Sequence, residues 1–242
     1  MKCPGQDSRY WKPGAIFEVQ CPKCKNPVEF FKDDTARKCD RCGHRFVNPN
    51  MDFGCASYCE YAEQCLGTLP DELMAQKEDL LKDRVAVEVK RYLKSDFKRI
   101  GHAGRVARYA EKIGRQEGGN LAVILCAAYL HDIGIPEAER KYNSAAPEYQ
   151  EKEGPPVARA ILEKLKAKTP LIDEVCGIIA HHHHPKGDDT LNFKVVYDAD
   201  QIANLEEALK HTAMEKDRLK EKIETTLLTQ SGKKTAEATL LA

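Results

Sequence analysis

Four places in the sequence hold residues able to bind a divalent cation and activate water: His102, the dipeptide His131-Asp132, the run His181-His182-His183-His184, and Asp198 with Asp200. Imidazole and carboxylate together form a donor set for Zn, Mn, Fe, Co or Ni, unlike a structural thiolate site. An adjacent His-Asp pair at the end of an apolar helix is costly unless both groups are ligated or paired. A second chemistry sits near the N-terminus, where eight of the ten cysteines fall in the first 65 residues. Cys21-Pro22-Lys23-Cys24 and Cys39-Asp40-Arg41-Cys42 are two CxxC turns, each able to aim two thiolates at one ion. Facing each other they make a tetrahedral Cys₄ zinc site. Cys3, Cys55, Cys59 and Cys65 offer four more soft ligands, which suit a second zinc or an iron–sulfur cluster.

The elements that must carry these residues follow from periodicity. Val28-Glu29-Phe30-Phe31 reads as a strand and Gly43-His44-Arg45-Phe46-Val47 as its return, the layout of a zinc-ribbon-like module. So small a module lacks the apolar content to fold alone, so its metal supplies its folding free energy. The composition changes near Gly67-Thr68-Leu69-Pro70, which places the modules at 1–67 and 68–242. Beyond it the spacing predicts a long helix from Asp71 and a second that His102 opens and Gly118-Gly119 stops. Asn120 caps Leu121 to Leu130, apolar nearly all round and therefore a buried central helix. Ile135 to Gln150 reads as a loop over the dyad. Further helices are predicted over Pro155 to Lys166, Leu171 to His181, Val195 to Lys210 and Met214 to Leu228, with a flexible tail from about 230. Few strand-like runs remain, so the larger domain is expected to be all-α.

The order His102, His131-Asp132-Ile133-Gly134, then Asp198-Ala199-Asp200-Gln201-Ile202 resembles the HD-domain metal-dependent phosphohydrolases. Glu153 to Leu162 is similar to the family's middle helix, and Val175-x₂-Ile178-Ile179-x₂-His182-His183 to the segment after it; together the likeness covers about residues 90–210. The resemblance implies an all-α helical bundle in which His102, His131, Asp132 and Asp200 ligate one divalent metal. Asp198 is then left as a helix cap. It also implies a site role for His182 and His183, as proton carriers or, in two-metal branches, beside a second ion. Those branches use a further histidine between the dyad and this segment. None occurs between His131 and His181; Glu148, Glu151 or Glu153 could substitute, but nothing in the sequence supports that, so a single catalytic metal is expected. Arg105, one turn after His102, is placed to clamp a phosphate. Arg140, Lys141 and Lys186 would reach one from loops.

Composition bounds the function. Lys+Arg and Asp+Glu both number 38, a net charge of +0, which gives no long-range field for a polyanion or an anionic membrane. Together with the hydrolysis by a metal-activated water that the resemblance implies, this leads to the expectation of a small, nucleotide-like phosphate ester as substrate, not a nucleic-acid polymer. No export signal is legible at the N-terminus, so a cytoplasmic setting is expected. A di-iron oxygenase on the same scaffold is one alternative. A regulatory protein whose ribbon binds nucleic acid or a protein partner is another, less favoured than a ribbon that is a structural appendage.

Overall fold

The computed structural model describes residues 16–31, 34, 36–50, 71–212 and 214–241, with Val47 and residues 71–79 described by their backbone alone. The chain divides into two compact units, Met1–Lys77 and Glu78–Ala242. Cys3, Cys55, Cys59 and Cys65 lie outside the described residues.

In the first unit, strands β1 (Ile16–Gln20) and β2 (Pro27–Phe31) pair antiparallel, as do β3 (Ala36–Lys38) and β4 (Arg45–Val47). The expectation that 43–47 returns on 28–31 is corrected. Each strand pairs with its own neighbour instead, because each CxxC turn closes its own hairpin. The Lys25 amide donates to the Cys21 carbonyl and the Gly43 amide to the Cys39 carbonyl, at 2.9 and 2.8 Å. Lys25 (φ 60°) and Gly43 (φ 71°) hold the left-handed position after each turn. Phe30 is fully buried between the hairpins, stacked on Phe17 and edge-on to Phe46.

The second unit is helical. Helix α1 (Asp71–Leu93) buries Leu81, Val85 and Val89. Helix α2 (Phe97–Glu117) begins five residues before His102, capped by Asp96, and ends at Gly118 in the left-handed conformation (φ 82°). His102 thus sits in the second turn and does not open the helix. Helix α3 (Leu121–Leu130) is the buried centre, capped by Asn120 on the amides of Ala122 and Val123. Each buried Leu, Ile or Val there is worth about 1.5–3 kcal/mol, which is why this segment anchors the core.

The expected loop at 135–150 is corrected by the structure. Pro136 starts helix α4 (Ile135–Tyr142), and Pro147 starts α5 (Pro147–Lys164), since proline fits the first turn, where no amide is needed. Helices α6 (Thr169–Ile179), α7 (Leu191–His211), α8 (Lys216–Thr226) and α9 (Gln230–Leu240) follow. Residues from 230 are therefore helical, not a loose tail. Thr229 caps α9, and Thr235 and Ala236 are buried. By length and composition, 121–142 is the one stretch among the described residues apolar enough to cross a membrane. It is 67% buried inside the protein and turns at His131–Gly134, between α3 and α4.

Candidate metal centres

Helices α2, α3 and α7 bring the dyad and its partners together at one end of the core. His102 Nε2 lies 3.0 Å from Asp200 Oδ1 and 3.3 Å from His131 Nε2. His131 Nε2 lies 3.3 Å from Asp132 Oδ2 and 3.5 Å from Asp200 Oδ1. His182 Nε2 faces the other oxygen, Asp132 Oδ1, at 3.7 Å. His131, His182 and Asp200 are buried, while the Asp132 side chain is 23% exposed and opens the site to solvent.

The donor set fits a cation. His131 Nδ1 donates to the Ala128 carbonyl and His182 Nδ1 to the Ile179 carbonyl, both at 2.9 Å. A carbonyl only accepts, so in each neutral imidazole Nε2 presents its lone pair to the site. His182 Nε2 is buried and has no hydrogen-bond partner. Such an orphan is costly unless a bound ion takes it up.

Electrostatics agree. Burial pulls the His131 pKa down, but the carboxylates of Asp132 and Asp200 outweigh it and hold it well above the usual value. Burial pushes Asp132 up, yet His131 and His182 outweigh it and hold it well below the carboxylate range. Asp200 is likewise depressed, by bonds from His102 and His131 that exceed its burial cost. Acids and bases held so far from their ordinary values mark this cluster as a candidate functional site.

The ligand atoms form two groups: His102, His131 and Asp200; and Asp132, His182 and His183. The lack of a histidine between the dyad and the run leads to the expectation of one ion. The structure nonetheless collects a second group, with the two oxygens of Asp132 turned to different sides. The glutamates that could substitute are spent elsewhere. Glu151 accepts from the His183 amide and faces His184 Nδ1, Glu153 is bound by Lys141 and Tyr142, and Glu148 is exposed.

The candidate phosphate contacts are mostly engaged. Arg105 Nη2 is held by Glu207 Oε2 at 2.5 Å and its Nε is buried without a partner. Arg140 pairs with Glu137, and Lys141 with Glu153. Lys186 is exposed on the segment before α7. Asp198 is buried and accepts from the Leu228 and Thr229 amides and from Thr229 Oγ1, so it anchors the start of α9. Two residues were not legible as site residues in the sequence. Asn204 Nδ2 donates to Asp200 Oδ2 at 3.0 Å, one turn along α7, which leaves Oδ1 for the site. Gly134 touches α5 so closely that a Cβ there would overlap the Gln150 carbonyl oxygen and lie 2.5 Å from the Gly154 amide nitrogen. The signal for both was spacing: Asn at i+4 from a ligand, and Gly two residues after the dyad.

In the first unit the four sulfurs of Cys21, Cys24, Cys39 and Cys42 lie within 4.8 Å of one another, with Cys21–Cys42 at 3.7 Å and Cys24–Cys39 at 3.5 Å. Tetrahedral zinc with ~2.3 Å bonds separates its sulfurs by about 3.8 Å. Burial pushes the Cys39 thiol up, but the amides of Cys42 and Arg41 outweigh it and bring it to about 7; Cys21 is lowered in the same way by Cys24 and Lys23. The Asn26 amide favours the Cys24 thiolate, yet burial and three neighbouring sulfurs push it up to about 12. Four sulfurs this close, with Cys21 and Cys39 lowered and Cys24 raised, suit the metal-free form of a Cys₄ site.

Comparison with known proteins agrees with this geometry. Residues 99–205 match the family model described as HD domain, so the helical unit carries an HD domain, and an HD domain implies a bound divalent metal. Three solved structures are similar. One is described as a predicted HD superfamily hydrolase from an uncultured Thermotogales bacterium: 23% identity, 64% of this chain and 82% of that chain covered, TM-score 0.48. Another is an HD-superfamily hydrolase from Bacillus thuringiensis: 22% identity, 66% and 89% covered, TM-score 0.47. The third is YpgQ of Bacillus subtilis: 21% identity, 67% and 89% covered, TM-score 0.46. No curated protein matches the chain.

Proposed function

We propose that this chain is a metal-dependent phosphohydrolase that acts on a small, nucleotide-like phosphate ester, with zinc in its Cys₄ ribbon. The observation that carries the reading is the cluster His102, His131, Asp132 and Asp200, buried at His131 and Asp200 and opened to solvent on the Asp132 side. A divalent metal there supplies Lewis acidity toward a phosphoryl oxygen and a water acidic near neutral pH.

The chain's own residues do the rest. Main-chain carbonyls of Ala128 and Ile179 fix the imidazoles of His131 and His182. Nδ1 of His182 is thereby committed and Nε2 is left without a partner, so His182 would hold a cation and would not carry a proton. Burial, and then His182, lower the His183 pKa, so its ring is neutral near pH 7, as a ligand or proton acceptor must be. Arg105, bound to Glu207, locks α2 on α7 beside the His102–Asp200 contact. With Arg105, Arg140 and Lys141 already paired, few cations are left to receive a phosphate chain. That supports a substrate of one or two phosphates recognised at the metal.

The test compares phosphate release from mononucleotides with cleavage of single-stranded oligonucleotides, each repeated with Asp200→Ala. Metal-dependent release from mononucleotides, lost in the variant, is expected. Oligonucleotide cleavage without mononucleotide turnover would overturn the small-substrate reading. The Asp132-centred pair of groups also suits a di-iron oxygenase; two irons with a visible absorption band and no phosphate release would favour that second reading.

A further inference from the structure

The second group, Asp132, His182 and His183, counts only three donors, and the chain lacks the histidine that would add a fourth. Gln150 lies beside this group. It is buried at 7% exposure on the first turn of α5. Its backbone is pressed against the turn that follows the dyad, since a Cβ on Gly134 would overlap the Gln150 carbonyl oxygen. One turn on, Gly154 lies on the same face of α5. A Cβ on Gly154 would come 2.6 Å from Ile179 Cγ2, so the missing side chain is what lets α5 approach the end of α6. Two glycines, from different segments, therefore bring Gln150 between the dyad and the His run.

The orientation of its amide is chemically forced. Gln150 Nε2 donates to the Ala145 carbonyl at 2.5 Å, and a carbonyl accepts only from the nitrogen end. Oε1 must then face the other way, where it lies 3.3 Å from His183 Nε2. That separation is long for an N–H···O bond, which centres near ~2.9–3.0 Å. It suits two donors on one ion: ligands at ~2.1 Å, about 100° apart, are roughly 3.2 Å from each other. The same spacing recurs in the first group, where His102 and His131 meet at 3.3 Å.

We propose that Gln150 Oε1, with Asp132, His182 and His183, is the fourth protein donor of a second divalent-cation site, where it stands in for the absent histidine. The proposal rests on the metal-centre reading above and goes beyond it by assigning the ligand and the class of ion. An amide oxygen is a hard donor, so it biases this site toward Mn²⁺, Mg²⁺ or Fe²⁺, away from softer ions. The first group, which adds Asp200 to two imidazoles and also faces Asp132 Oδ2, has two carboxylates and is the tighter of the two.

The test is a Mn²⁺ titration of the full chain, with its ribbon loaded with zinc, followed by the loss of the free-Mn²⁺ electron paramagnetic resonance signal. Wild type should bind two Mn²⁺, one tight and one weaker. Gln150→Leu should weaken the second by at least about tenfold, because even outer-shell partners of a metal are worth 10- to 100-fold, and leave the first unchanged. Gln150→Glu, which keeps the shape and adds charge, should tighten the second and so serves if the leucine variant loses its helical circular dichroism. One Mn²⁺ at saturation in wild type would overturn the proposal. So would an unchanged second affinity in Gln150→Leu, or a Gln150→Glu variant that binds it no more tightly, which would reduce the amide to a hydrogen-bond partner of His183. No substrate is involved, so absence of phosphate release from protein that holds both ions would overturn the hydrolase reading and leave this one standing.

Discussion

Gly134→Ala should damage stability and metal binding together. Gly134 has φ −75°, which alanine adopts freely, so backbone strain plays no part. The difficulty is space: the new methyl would overlap the Gln150 carbonyl and lie 2.5 Å from the Gly154 amide nitrogen and 2.8 Å from Gly154 Cα. All three obstacles are main chain, which no rotamer change can clear, so α5 or the dyad turn must move by on the order of an ångström. Overpacking of this kind costs about 1–3 kcal/mol. For a chain of this size that lowers the melting temperature by roughly 2–12 °C. The same shift drags Asp132 relative to His182, and misplacement by about an ångström can cost on the order of 10²-fold in activity. Gly104→Ala is the matched control. Gly104 is an exposed α2 residue, and a Cβ added there would meet nothing within 4 Å, so helix propensity should raise stability by about 0.5–1 kcal/mol. Thermal melts followed by helical circular dichroism, paired with Mn²⁺ binding, read both effects. A Gly134→Ala protein that melts at or above wild type with unchanged metal affinity would refute the steric argument.

Three further outcomes follow from the two metal centres. Asp132→Ala or His131→Ala should empty the helical site while zinc in the ribbon persists; elemental analysis showing both metals lost would contradict disjoint ligand sets. Cys24→Ser or Cys42→Ser should unfold the ribbon, whose small core is Val28 and Phe30 around the cysteines, and leave the helical circular dichroism near native. Metal binding should tighten as pH rises, because the elevated His131 pKa keeps a proton on Nε2 that the cation must displace. Calorimetry in buffers of different ionisation enthalpy should detect that proton, and a buffer-independent heat would argue against it. In the metal-free protein the His131 contribution is complete below its unfolded pKa of 6.5 and fades as pH rises past the raised value. The Asp132 and Asp200 contributions are complete above 3.8 and are lost as pH falls through their depressed values, so acid unfolding should set in below about pH 4.

Much of the site is legible in the sequence because ligation demands particular side chains at particular helix ends. His102, the dyad and Asp200 stand out against the apolar stretches that carry them, and the two CxxC turns announce themselves by spacing. What is not legible depends on which helices touch. Gln150 is an ordinary polar residue until Gly134 and Gly154 bring α5 against the dyad turn. Arg105 reads as a free cation until Glu207, on a helix a hundred residues away, takes its guanidinium. Helix α4 is hidden because Pro136 and Pro147 look like breakers, although each sits in a first turn. Strand pairing in the ribbon is hidden for a related reason, since the partner of β2 is β1, a run with no strong pattern of its own.

Asp198 and Asp200 share one turn of α7 but serve different masters, and this has a consequence for biosynthesis. Asp200 belongs to the metal centre, while Asp198 is a buried carboxylate whose bonds come from Leu228 and Thr229. Until that later segment is made, Asp198 lacks the donors that hold it in the fold, and α7 near Asp200 loses that anchor. Metal loading of the helical unit should therefore wait until residues 228 and 229 have been made. Ribosome-stalled chains exposing residues only to about 225 should bind Mn²⁺ far more weakly than chains exposing residues to 241, and equal binding by the two would dissolve the link.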